Sequence, residues 1–77
     1  MKVVDKVYIL TSPLKDETLY LTVDEKNGFV YDYSFDIRDA LKCGTKRAAL
    51  NVKDDYEADL GVKSDLTIAP LKITYEW

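Results

Sequence analysis

The chain has 77 residues, of which 47% are hydrophobic and 32% charged, and a net charge of −3 at neutral pH. That size and balance fit one small globular domain spanning residues 1–77, burying only about 60–65% of its unfolded surface, and exclude a disordered tract. The acidic balance argues against a nonspecific nucleic-acid binder, which carries a basic stripe, and Cys43, the one cysteine, excludes an internal disulfide framework.

The first predicted strand covers residues 3–11. Val3, Val7 and Ile9 share one parity, and Val4, Tyr8 and Leu10 the other. A strand apolar on both sides belongs in the middle of a sheet. Ser12-Pro13 is expected to stop it, because proline lacks an N–H for the ladder and restricts the residue before it. A polar loop over residues 14–18 follows.

Residues 19–35 read as a β-hairpin, and its register follows from the pattern. Leu19, Leu21 and Val23 alternate with polar partners, as Phe29, Tyr31, Tyr33 and Phe35 do after the turn, at the period of a half-buried strand. A two-residue Asn27-Gly28 turn would set the leucines against the wrong face. A three-residue loop, Lys26-Asn27-Gly28, pairs Glu25 with Phe29, Val23 with Tyr31, Leu21 with Tyr33 and Leu19 with Phe35, placing the large apolar groups together. Gly28 then takes the left-handed position of a bulge after a type I turn.

Asp36, with Asp39 three residues on, predicts the capped start of a short helical turn through Ile37, Ala40 and Leu41. Gly44 ends it. Thr45 caps a main helix over residues 46–60, whose inner face carries Ala48, Ala49, Val52, Tyr56 and Leu60. Gly61 supplies the left-handed C-terminal cap. Leu50 lies on the opposite side, either exposed or held under the preceding turn. Residues 71–77 alternate cleanly as the last strand, with Pro70 marking an edge or a bulge. Leu66 and Ile68 have the other parity from Leu71, which a bulge near Ala69-Pro70 would reconcile. A helix returning along the third strand makes the last strand parallel to the first and third.

Chemistry is sparsely represented. There is no histidine, so the commonest general base and metal ligand is missing. Cys43 has Lys42 and Lys46 nearby, which lower a thiol pKa, yet it has no histidine partner and reads as a small buried residue between two helical pieces. No catalytic, cofactor-binding or metal-binding set is assigned. Asp54, Asp55, Glu57 and Asp59 oppose the helix dipole. They read as a solvated face or as an acidic docking surface for a basic partner; their spacing does not match an EF-hand loop. Of the tyrosines, Tyr31, Tyr33 and Tyr56 belong to core stripes, while Tyr8 and Tyr20 point the other way.

The pattern resembles that of small proteins encoded by phages and prophages of Gram-positive bacteria. The resemblance rests on Val7-Tyr8-Ile9-Leu10, on Leu19-Tyr20-Leu21, on the segment from Asp36 to Leu41 with Ala40, and on Thr45-Lys46-Arg47-Ala48-Ala49-Leu50. Cys43 departs from it, since a large aromatic residue is common there. The resemblance implies an accessory protein that works by binding, and it supplies no site residues. Some phage proteins of this size inhibit host defence systems.

The expectation is therefore an α+β domain of order β-β-β-α-β, with a mainly antiparallel four-stranded sheet and one main helix on one face. No run reaches the roughly 20 apolar residues of a membrane span. Lys2, Asp5 and Lys6 interrupt what would be the apolar core of a signal peptide, so a soluble cytoplasmic location is expected. The function expected is non-enzymatic protein–protein binding, which the phage resemblance extends to modulating a host factor, with a nucleic-acid-associated module using Tyr8, Tyr20 and scattered lysines as the alternative. With Ile9 opposite Leu21, the uncovered sheet face gathers Val4, Tyr8, Leu10, Tyr20 and Val30. This patch predicts a homodimer or a docking surface, and Tyr8, Leu10, Tyr20 and the helix acids are the partner-binding candidates.

Overall fold

The computed structural model describes residues 1–28 and 30–77. Its strands are β1 (Lys2–Leu14), β2 (Glu17–Asp24), β3 (Val30–Ser34) and β4 (Thr67–Glu76), and its main helix is α1 (Lys46–Leu60). Two 3-10 turns, Glu25–Asn27 and Ile37–Asp39, flank β3. The strands form one antiparallel sheet in the order β3-β2-β1-β4. The fold is α+β, as the alternating and helical periods require.

The β2–β3 register is the expected one, with Leu21 opposite Tyr33 and Val23 opposite Tyr31. Gly28 adopts φ 83° and its N–H donates to the Glu25 carbonyl. Asp24 holds the turn, accepting from the Lys26 N–H at 3.1 Å and the Asn27 amide at 2.6 Å. The expected Glu25–Phe29 pair lies outside the described residues. Leu19–Phe35 does not form. The ladder closes at Tyr20–Ser34, and Ser34 Oγ accepts from the Asp36 N–H and donates to Asp39. That turn carries Phe35 away from the core, leaving it 60% exposed.

The first strand corrects two expectations. β1 does not stop at Ser12-Pro13 but continues to Leu14, with Ser12 opposite Leu19 and Pro13 opposite Thr18. Met1 and Trp77 exchange main-chain hydrogen bonds, and so do Tyr8 and Cys43. By the antiparallel alternation, odd residues of β1 therefore turn their polar groups toward β4 and even ones toward β2. Pro13 is odd, and the β4 ladder ends at Thr11, so its missing N–H falls where no strand pairs. The two-residue connection Lys15-Asp16, with Lys15 at φ 55°, sets Thr11 opposite Tyr20. The expected register put Leu10 there. A one-residue slip exchanges the faces of a strand, and Tyr8 and Leu10 accordingly lie under the helix.

Beyond Thr11 the β1–β2 ladder ends, and residues 41–43 enter between the two strands. Leu41 N–H donates to the Leu21 carbonyl at 2.9 Å, while Cys43 pairs with Tyr8. The segment after the second 3-10 turn thus runs back along the sheet before α1 begins, and α1 returns. β4 consequently starts beside the end of β1 and is antiparallel to it, from Thr11–Thr67 to Lys2–Glu76, rather than parallel. The ladder is continuous, with no bulge at Ala69-Pro70. The two parities in this segment are real: Ile68 joins the core under the helix, and Leu71 and Ile73 face the other way.

The helix ends match the sequence signals. Thr45 Oγ1 accepts from the Ala48 N–H at 3.1 Å, and Gly61 closes the C-terminus at φ 75°. Ala48, Ala49, Val52 and Tyr56 pack toward Leu10, Leu21, Cys43 and Leu66. Leu60, expected on this face, is instead 50% exposed, as residues 58–60 are throughout. Leu50 is exposed. Buried Ser12 is satisfied by donating to Asp65 at 2.7 Å.

Candidate functional site

The structure redistributes the expected site residues. Leu10 is fully buried in the core, and Tyr8 packs against that core with Lys6 Nζ 5.7 Å from its ring centre. Neither belongs to the outer face, and the predicted patch of Val4, Tyr8, Leu10, Tyr20 and Val30 does not exist as a unit. Tyr20 and Val30 do lie on the face away from α1, as their alternation with Leu21 and Tyr31 requires.

The helix acids divide into two pairs. Asp55 accepts from the Tyr31 hydroxyl at 2.7 Å. Glu57 accepts from the Ser64 N–H at 2.5 Å and from its hydroxyl at 3.0 Å, and the main-chain N–H above all holds its carboxyl below the usual range. These two acids tie α1 to β3 and to the loop after it. Asp54 and Asp59 are exposed and remain surface charge.

The Cys43 thiol is in the core, where burial pushes its pKa up and keeps it protonated near neutrality. At the β2–β3 end, Asp24, Glu25, Asp32 and Asp39 rim an open hollow of about 510 Å³. Three of these carboxylates accept local hydrogen bonds, and no metal-holding cluster occurs among the described residues. This acidic rim disfavours a phosphate backbone.

The sheet face opposite α1 has its own apolar surface. The β1–β4 register places Val3 beside Tyr75, Val7 beside Leu71 and Ile9 beside Ala69, all of one parity. Ile9 and Ala40 are buried outside the core under the helix. Next to them Ile37, Leu71 and Ile73 floor a groove of about 240 Å³, with Arg38 and Lys42 at its rim. Arg38 is held by Asp36 at 2.7 Å. Lys42 Nζ donates to the carbonyls of Arg38 and Ala40, at 3.1 and 3.2 Å. Among the described residues Arg38–Asp36 is the only salt bridge, so the Lys42 ammonium is ordered without a carboxylate.

Sequence reasoning missed this groove. The shared parity of Leu71, Ile73 and Tyr75, opposite to that of Ile68, is its visible signal, and a bulge at Ala69-Pro70 would have cancelled it by bringing Ile68 and Leu71 to one face. The contribution of Ile37 and Lys42 depends on how the 36–43 segment folds over the sheet. No protein-family model, no curated protein and no solved structure matches the chain. No helix among the described residues is long and apolar enough to cross a membrane.

Proposed function

We propose that the protein is a non-enzymatic binding protein that engages another protein through the sheet face opposite α1. The observation that carries this reading is the Ile37–Leu71–Ile73 groove with Lys42 poised at its rim. At about 240 Å³ it is smaller than the roughly 300–1,000 Å³ of a drug-sized ligand site. It suits one or two apolar side chains of a partner, the anchor-in-pocket arrangement of interface hot spots. A carboxylate beside that anchor answers Lys42 and fixes register. For an accessory protein of the phage type, such a partner is a cytoplasmic host factor.

Selection from a random peptide library tests the reading. Apolar–acidic motifs are expected to be enriched, with binding lost in Leu71→Asp and weakened in Lys42→Ala. Passage over heparin at low salt supplies the opposite arm. The protein should flow through; salt-reversible retention would overturn protein binding in favour of a nucleic-acid module.

A further inference from the structure

We propose that the outer edge of β4 pairs with the same edge of a second copy, antiparallel about a two-fold axis at Thr74. β4 is a ten-residue edge strand with an unbroken register. Because Met1 and Trp77 exchange main-chain bonds, the odd residues of β4 bond to β1. The N–H and C=O groups of Lys72, Thr74 and Glu76 point outward. A long, flat, unpaired edge is a template for another strand. Residues 2–6 and 74–77 are exposed, so this end is a two-stranded ribbon, a structure of marginal stability until further strands join.

Charge selects a second copy as the occupant. Lys72 lies directly opposite Lys6 in the chain's own sheet, and among the described residues neither has a carboxylate in salt-bridge range. Like charges so placed destabilise a ladder. A two-fold at Thr74 sets each Lys72 opposite the second copy's Glu76, at a hydrogen-bonded site with Cα atoms about 5.5 Å apart. Thr74 meets Thr74. On the outer face Ile73 meets Tyr75 and Leu71 meets Trp77, covering aromatic rings that are 48% and 71% exposed. Pro70 falls outside the paired stretch. Other symmetric registers are worse: centring on Lys72 opposes two ammonium groups, and centring on Ile73 puts Pro70, which cannot donate, opposite Glu76.

Sedimentation equilibrium between about 1 and 200 µM tests this, since association is concentration-dependent. The expected mass rises toward twice 8.8 kDa, with a parallel blue shift of Trp77 fluorescence. Thr74→Pro removes an outward N–H and leaves the bonds to β1 intact. It should give a monomer that still melts cooperatively. Lys72→Glu should weaken association by about tenfold or more, and adding Glu76→Lys in the same chain should restore it. A mass of 8.8 kDa throughout the range would overturn the proposal. A dimer untouched by Thr74→Pro would overturn the edge geometry, and one indifferent to Lys72→Glu would overturn the register. Should Thr74→Pro fail to fold, the lysine and double variants decide.

Discussion

Cys43 and Tyr8 exchange both of their main-chain hydrogen bonds, each at 2.8 Å. Through this bridge the chain returns along the sheet before α1 starts, and so the bridge sets the direction of β4. It also seats the Cys43 side chain in the core beside Leu10 and Leu21, where a large residue would displace the helix.

Leu10 and Leu21 are both fully buried. Leu10→Ala should therefore destabilise by about 2–5 kcal/mol, from lost transfer energy plus the cavity left behind. Val4→Ala, at a half-exposed site on the same strand face, should change stability by under about 0.5 kcal/mol. Urea titrations of the two variants check the contrast. Equal effects would mean that Leu10 is not under the helix.

Alkaline pH should unfold the protein through its tyrosine cluster. Tyr31, donating to Asp55, has its pKa pushed up from 10.0 to about 12, the hydrogen bond contributing most. Tyr33 is raised further, by burial first and then by its 2.8 Å bond to the Tyr56 hydroxyl. A group with a raised folded pKa stabilises fully below its unfolded value and loses that contribution as pH rises through the folded one. Stability should thus be level in this respect below pH 10.0 and fall from there toward about 12. A phenolate absorbance titration should show a late step coincident with unfolding, and Tyr31→Phe should shrink it.

The hairpin turn gives a conformational test free of packing. An added Cβ at Gly28 would meet nothing within 4 Å, so any cost reflects its φ of 83°. Gly28→Val should destabilise by about 1 kcal/mol or more, and Gly28→Asn by less, because asparagine tolerates the left-handed region. Thermal melts of the two variants give the ordering, and an unchanged midpoint for valine would contradict the left-handed turn.

Local signals determined most of the elements. Period-2 alternation in residues 19–24 and 30–34 set the β2–β3 register, because only one pairing collects Leu21, Val23, Tyr31 and Tyr33 on a single side. Thr45 and Gly61 bounded the helix, because capping is settled within a turn of chain. The extent of β1, its register with β2 and the direction of β4 were decided by the tertiary structure. Pro13 is tolerated because its nitrogen faces a side where β4 has already ended, a fact of pairing that no local window contains. Lys15 at φ 55° sets a two-residue connection that moves Tyr8 and Leu10 from the outer face to the core. The groove of Ile37, Lys42, Leu71 and Ile73 joins segments about thirty residues apart, brought together only because residues 41–43 open the β1–β2 ladder and turn the chain back across the sheet.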